Sequence, residues 1–141
     1  MHRFMRIVLD TNVLVVSLSR KSRFFPILKD IRSGRIELLV TDEILFEYEE
    51  VIGRLMSVDV AQSILSGLDL LPNVIFIQRY FAWNLIQNDP DDNKFIDCAI
   101  AGNANFVVTN DAHFNVLANI PFPTVKVIRP DDFLLLLSEN E

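Results

Sequence analysis

The chain of 141 residues contains little cysteine, glycine or proline and has no long apolar run. Its one cysteine, Cys98, cannot form a disulfide within the chain, which fits a reducing compartment. Four glycines and six prolines are too few for a collagenous or low-complexity protein. The longest apolar run, residues 133–137, is far shorter than the ~20 residues that span a bilayer. We therefore expect no membrane-spanning segment.

Positive charge is also scarce, since 13 lysines and arginines are outnumbered by 19 aspartates and glutamates, for a net charge of −6. A protein that coats nucleic acid is normally basic overall, so a nucleic-acid partner would have to meet a local basic patch. Half of the residues are hydrophobic and 23% are charged, which excludes a disordered chain. The length matches one domain, and we predict a single domain over residues 1–141.

The N-terminus is only superficially similar to a signal peptide. Arg3 and Arg6 precede an apolar stretch, but Asp10 and Asn12 interrupt it. No small-residue cleavage site follows. We expect a cytoplasmic protein.

Short apolar runs alternate with helical patterns along the chain. The patterns predict five strands, at residues 7–9, 36–40, 74–77, 106–108 and 125–128. They predict helices at residues 13–18, 24–32, 41–56, 58–70, 90–102 and 131–137, with a short helical turn after residue 111. This alternation is typical of an α/β protein, in which a parallel sheet carries helices on both faces.

Aspartates lie where two of the predicted strands end. Asp10 follows the first strand directly, and Asp111 lies just beyond the fourth. Taken singly, each aspartate is as readily a helix cap or a turn residue. Ligands of parallel sheets bind outside the carboxyl ends of the strands, however, and both acids belong to that edge.

A third acid, Asp92, is predicted to point inward. Asp89 and a following proline are a strong start for the helix predicted at residues 90–102. At about 100° per residue, Asp92 lies at the centre of that helix's apolar face, whereas Asp91 and Asp97 fall off it. The face comprises Phe95, Ile96, Ala99 and Ile100. An inward carboxylate needs a partner, for which a cation is the natural choice.

The predicted helix over residues 41–56 contributes four glutamates. Glu43 and Glu50 lie on its solvated face. Glu47 and Glu49 flank its apolar stripe at about equal angles on opposite sides, so periodicity does not choose between them.

The acids of these elements could converge at one edge of the sheet: Asp10, Glu47 or Glu49, Asp92 and Asp111. Without a cation the carboxylates would repel one another and raise each other's pKa. Oxygen-rich sites of this kind suit Mg²⁺ or Mn²⁺, which orient water and stabilise the charges of phosphoryl chemistry. Four neighbouring polar side chains could hydrogen-bond a ligand or a phosphate: Thr11, Asn12, Thr109 and Asn110.

Four segments, in this order, resemble the PIN-domain ribonucleases: Asp10-Thr11-Asn12-Val13-Leu14, Glu47-Tyr48, Asp91-Asp92-Asn93-Lys94-Phe95 and Val108-Thr109-Asn110-Asp111. The last two are similar to the bacterial and archaeal branch of the family that contains the toxins of toxin–antitoxin pairs. The resemblance implies a three-layer α/β/α sandwich with a mostly parallel, Rossmann-like sheet. It also implies Mg²⁺- or Mn²⁺-dependent cleavage of single-stranded RNA.

The resemblance also implies roles for individual residues. It implies four catalytic and metal-binding acids: Asp10, Glu47, Asp92 and Asp111. It thereby favours Glu47 over Glu49. Many relatives carry a further acid near His113 that this chain lacks, so an incomplete second metal site is expected and His113 is interpreted as a surface residue. The implied partners are single-stranded RNA, an antitoxin protein and a second copy of the chain.

Positive charge for RNA capture is concentrated in one predicted loop, at Arg20, Lys21 and Arg23. Contacts from these residues to phosphates would be independent of RNA sequence and sensitive to salt. A solvated basic loop is an equally good interpretation. Three aromatic side chains could offer stacking surfaces to bases: Phe24, Phe25 and Trp83.

Two other functions compete with the nuclease. A phosphatase of the haloacid-dehalogenase type also begins with an aspartate after the first strand. That family usually has a second aspartate two residues later, where this chain has Asn12, and its paired acids usually follow the threonine, whereas Asp92 precedes Thr109. The other alternative is a non-catalytic PIN-like module that binds RNA or protein.

Overall fold

A computed structural model describes residues 5–78, 81–87 and 89–139 of the chain, so Arg3 lies outside the described residues. Its five strands are Met5–Leu9 (β1), Ile36–Val40 (β2), Val74–Phe76 (β3), Phe106–Val108 (β4) and Val127–Ile128 (β5). All four strand pairs are parallel, in the order β3-β2-β1-β4-β5. The predicted α/β class with a parallel sheet is confirmed, and β1 is its central strand.

Six α-helices connect or follow the strands: Thr11–Ser17 (α1), Phe25–Arg32 (α2), Asp42–Leu55 (α3), Val58–Asp69 (α4), Asn93–Ala101 (α5) and Pro130–Glu139 (α6). Two 3₁₀ segments, Pro90–Asp92 and Ala112–Asn119, complete the elements of the described residues. The single helix predicted at residues 90–102 is therefore wrong in its first turn. The Asp92 amide bonds to the Asp89 carbonyl three residues back, at 3.1 Å, and α5 starts only at Asn93.

Local sequence explains several boundaries. Thr41 and Ser57 cap α3 and α4, because their hydroxyls accept hydrogen bonds from the amides of Ile44 and Val60 at 3.2 and 3.0 Å. Gly34, with φ of +86°, supplies the left-handed residue between α2 and β2. The chain therefore enters β2 four residues after the end of α2.

The core encloses the sheet on both faces. Ile7, Val8 and Leu9 are consecutive residues of β1, and none of them is exposed to solvent. Because successive side chains of a strand point to opposite faces, helices must cover both sides of β1, as in a three-layer α/β/α sandwich. Helix α5 packs against β1, β2 and β4, while α3 contacts α1, α4 and α5. No helix in the described ranges is long and apolar enough to cross a membrane.

Residues 81–87, here the covering segment, pack on α5. The main-chain amide of Trp83 donates to Asp97 Oδ1 at 3.1 Å, and Asp97 is only 2% exposed. The interpretation of Asp97 as lying off the buried face is therefore wrong, because the covering segment buries that side of the helix. The Asn93 side chain both donates to and accepts from the main chain of Ile86, each at 2.8 Å.

Candidate metal centre

Asp10 and Asp111 meet at the carboxyl edge of the sheet, where β1 and β4 end side by side. Asp10 is 7% exposed, and its Oδ2 accepts a hydrogen bond from the Thr109 hydroxyl at 2.7 Å. The same hydroxyl oxygen accepts a hydrogen bond from the main-chain amide of Asp111 at 3.0 Å. Thr109 therefore fixes the position of one acid relative to the other.

Glu47 reaches this edge from α3. The Thr11 hydroxyl donates to its Oε2, and the Lys94 ammonium lies 2.7 Å from its Oε1. Lys94 also lies 2.9 Å from Asp91 Oδ1. Glu49 is exposed on the other side of the helix stripe. Of the two glutamates that periodicity left equivalent, the structure thus brings Glu47 to the other acids.

Asp92 belongs to a second group of side chains, which shares Asp111 with the edge of the sheet. Its carboxylate is grouped with Asp89, Asp111 and His113, whose nearest ligand atoms all lie within 4.8 Å of one another. His113 Nδ1 is 3.2 Å from Asp111 Oδ1 and 3.5 Å from Asp89 Oδ2. His113 is exposed, as the sequence predicts for a surface residue, with 46% of its side chain accessible, but its ring nitrogen also lies beside these carboxylates.

Asp89 and Lys94 are two further residues that sequence analysis did not assign to the site. Asp89 was interpreted as a helix cap, but within the described residues its side chain makes no capping hydrogen bond and joins the acids instead. The signal for it was the run of acids around Pro90. The signal for Lys94 was its place on the helix, two residues after Asp92.

Mutual repulsion and burial raise the pKa values of two of the acids. Burial, followed by the charges of Asp89, Asp111 and Asp10, raises the pKa of Asp92 to about 7. Burial also raises the pKa of Asp10, against the hydrogen bond from Thr109. Asp92 Oδ2 is fully buried and has no hydrogen-bond partner in the part of the chain that the structure describes.

These features fit a divalent cation. Carboxylate oxygens are the donors that Mg²⁺ and Mn²⁺ take, and an unpartnered buried carboxylate oxygen is costly unless a cation binds it. The residues that could hold the ion are Asp10, Asp89, Asp92, Asp111 and His113, with Glu47 adjoining.

A cleft of about 310 Å³ opens beside Asp10. Asn12 and Phe24 line it on one side, and Asn110 and Asp111 on the other. Asn12 and Asn110 are exposed, so their amides face solvent there. Of the polar residues singled out beside the acids, Thr11 and Thr109 are thus bonded to carboxylates, while the two asparagines line the cleft.

The basic loop lies between α1 and α2, next to Phe24 of this cleft. Arg20 and Lys21 are exposed. Arg23 forms an ion pair with Asp131, and its guanidinium lies 4.8 Å from the centre of the Phe24 ring.

The other aromatic candidates are divided between two places. Phe25 is the first residue of α2 and is half-buried. The Trp83 ring belongs to the covering segment and packs edge-on against Phe81 and Phe122, at 4.7 and 6.1 Å between ring centres.

Comparisons with known proteins agree with this architecture. The family model of the PIN domain matches residues 6–113. A search of the curated proteins gives no significant match. The fold is similar to a chain in the crystal structure of VapBC2 from Rickettsia felis bound to a DNA fragment from their promoter. The TM-score is 0.59 at 18% identity, covering 89% of this chain and 98% of that chain. The chain belongs to the PIN-domain family.

Proposed function

We propose that the protein is a Mg²⁺- or Mn²⁺-dependent endoribonuclease that cleaves single-stranded RNA. The observation that carries the proposal is the convergence of Asp10, Asp92 and Asp111 at the carboxyl edge, with a pKa of about 7 for Asp92. Acids held this close in one place are unfavourable in a protein that never binds a cation. Membership of the PIN-domain family supports the nuclease class.

The protein's own groups would prepare the site. A bound divalent ion would supply Lewis-acid activation of water and of the phosphodiester. Asp10 is oriented toward it by Thr109, and Glu47 is oriented by Lys94 and Thr11. With a pKa of about 7, Asp92 is only partly ionised at neutral pH, and a bound cation would favour its ionised form. These four positions keep the roles of catalytic, metal-binding acids: Asp10, Glu47, Asp92 and Asp111.

RNA would approach through the cleft beside Asp10. Asn12 and Asn110 offer amide donors to a phosphate, and Phe24 offers a ring to a base. Arg20 and Lys21 supply exposed positive charge in the adjoining loop. Arg23 is the weaker candidate of the three basic residues, since its guanidinium is already ion-paired with Asp131.

A toxin role is part of the same proposal. The motif strings resemble the toxin branch, and the VapBC2 structure shares the fold. The partners that we propose are an antitoxin protein and a second copy of the chain, in a cytoplasmic setting and with residues 1–141 forming one domain.

The test is cleavage of end-labelled single-stranded RNA in the presence of Mn²⁺, Mg²⁺ or EDTA. Wild-type protein is compared with Asp10→Asn, which keeps an acceptor for the Thr109 hydroxyl. Asp59→Asn, an exposed change in the first turn of α4, is the matched control. Circular dichroism confirms that each variant is folded.

We expect metal-dependent cutting by the wild type and by Asp59→Asn, and a loss of at least about a hundredfold in Asp10→Asn. RNA binding without any cutting would favour the non-catalytic module. A chemically trapped phosphoaspartate in place of cleaved RNA would favour the phosphatase. Equal cutting by the Asp10→Asn variant would overturn the proposed site.

A further inference from the structure

We propose that His113 is a direct ligand of the metal ion, through Nδ1, and that it biases the site toward transition-metal ions such as Mn²⁺ and away from Mg²⁺. The inference rests on the proposed function, because it takes the carboxylates as a metal centre. It adds to that function a nitrogen donor that the family motifs do not contain. It also adds Asp89, whose Oδ2 lies 3.5 Å from His113 Nδ1, as an acid that would hold the ion.

The spacing of the ligand atoms carries the inference. His113 Nδ1 lies 3.2 Å from Asp111 Oδ1, 3.5 Å from Asp89 Oδ2 and 3.7 Å from Asp92 Oδ2. Metal–ligand bonds of about 2.1 Å at right angles place neighbouring octahedral ligands about 3 Å apart. The ligand atoms of the four residues all lie within 4.8 Å of one another, which is close enough for one ion to bind them after small inward shifts.

The surroundings leave two members of this group available to a cation and hold a third in place. Asp92 Oδ2 is buried without a hydrogen-bond partner in the described ranges, although His113 Nδ1 is nearby. Asp89 makes no capping bond to the helix that it precedes, again within those ranges. The His113 amide donates to Asp111 Oδ1 at 2.9 Å, which holds the imidazole beside the acids. These three facts are expected of a prepared cation site.

The competing explanation is that His113 is only a protonated counter-charge for the carboxylates. If His113 were only a counter-charge, a divalent ion would replace it as the positive partner of the carboxylates. If His113 is a ligand, its Nδ1 binds the ion directly. Imidazole nitrogen is a better donor to first-row transition ions than to Mg²⁺, which prefers oxygen and water. Direct ligation therefore predicts both a nitrogen–metal bond and a change in metal preference.

The test uses the full chain, stripped with a chelator and loaded with one equivalent of Mn²⁺. Three-pulse electron spin-echo envelope modulation detects a ¹⁴N nucleus bonded to Mn²⁺ without any reference to catalysis. We expect ¹⁴N modulation in the wild type and its loss in His113→Ala. Asn115→Ala, an exposed change in the same 3₁₀ segment, should retain it.

Calorimetric titration gives the second readout. Replacement of an outer-shell partner of a metal ligand typically weakens metal binding 10–100-fold. Loss of a direct ligand in His113→Ala should therefore weaken Mn²⁺ binding by at least about tenfold, and Mg²⁺ binding by less. His113→Asp, which supplies an oxygen donor in place of the imidazole nitrogen, should bind both ions. The difference between its affinities for Mn²⁺ and Mg²⁺ should be smaller than in the wild type.

The outcomes separate the two proposals. Bound Mn²⁺ without ¹⁴N modulation in the wild type, or with modulation that persists in His113→Ala, overturns this inference and leaves the nuclease standing. Failure of both Mn²⁺ and Mg²⁺ to bind the wild type overturns the inference together with the proposed function.

Discussion

The Lys94 ammonium lies 2.7 Å from Glu47 Oε1, so the glutamate that reaches the acidic edge is already ion-paired. The other carboxylate oxygen of Glu47, Oε2, accepts a hydrogen bond from the Thr11 hydroxyl. Although burial opposes the charge on Lys94, its bonds to Glu47 and Asp91 raise its pKa. The Glu47 carboxylate is thus compensated by the buried Lys94 ammonium, whereas Asp89, Asp92 and Asp111 lie beside the half-exposed His113.

Replacement of this cation should destabilise the metal-free protein. Lys94→Met leaves Glu47 partly buried without its charged partner, and we expect a loss of about 2 kcal/mol in the free energy of unfolding. Urea unfolding in EDTA measures it. Lys29→Met, at an exposed position of α2, should change the value by less than about 0.5 kcal/mol. Similar losses in the two variants would show that the ion pair contributes no stability.

The two glutamates that flank the stripe of α3 provide a matched pair. Glu47→Gln should lower the rate of RNA cleavage by at least about tenfold, because it removes a charge beside Asp10. Glu49→Gln should leave the rate unchanged, since that side chain is exposed elsewhere on the helix. Single-turnover cleavage under equal metal concentrations compares them. A larger effect at Glu49 would reverse the assignment.

Asp92 should make the metal-free protein less stable as the pH rises. Its pKa is raised from 3.8 to about 7 in the folded state, so folding favours the protonated form. Between about pH 4 and pH 7 the unfolded chain binds fewer protons than the folded one, and the free energy of unfolding falls across that window.

Asp92→Asn should remove that contribution. We expect the variant to match the wild type near pH 4 and to exceed it by about 2 kcal/mol at pH 8 in EDTA, which is about half of the value for the full change in pKa because solvent screens the partly exposed carboxyl. Thermal or urea unfolding at several pH values measures the difference, with Asp59→Asn as a control whose profile should parallel the wild type. A constant difference across the range would contradict the raised pKa.

The exposed cations of the basic loop should act through salt-dependent RNA binding. Arg20→Gln with Lys21→Gln should weaken binding of single-stranded RNA to the uncleaving Asp10→Asn protein. The slope of log affinity against log salt should fall by about 0.7 for each phosphate that the loop no longer neutralises. Fluorescence anisotropy at several salt concentrations measures the slope, with Lys29→Gln as the control. An unchanged slope would mean that the loop is merely solvated.

Much of the fold could be predicted from the sequence, because its signals are local. The strands at Ile36–Val40 and Phe106–Val108 are short apolar runs between clear breaks, and both predictions match the structure. The placement of Asp10 and Asp111 in the site could be predicted because ligands of parallel sheets bind at the carboxyl ends of the strands. Helical projection predicts that Asp92 points inward, and in the structure its side chain is only 14% exposed although its own turn is 3₁₀.

Other features depend on contacts between distant parts of the chain. The covering segment has no periodic pattern, so the burial that it imposes on Asp97 could not be predicted. The grouping of His113 with Asp89 requires the loop before α5 to meet the turn after β4. The choice of Glu47 over Glu49 likewise depends on where Thr11 and Lys94 lie.

The paired hydrogen bonds between Asn93 and Ile86 have a consequence for when the acidic site is assembled. Asn93 directly follows Asp92, and Asp89 lies between the two bonded residues in sequence. These bonds hold the main chain on both sides of Asp89 and Asp92 through protein groups alone. Binding then requires little loss of conformational freedom. A cation would act as a late stabiliser of a finished structure, and its removal should lower the melting temperature while leaving the shape intact.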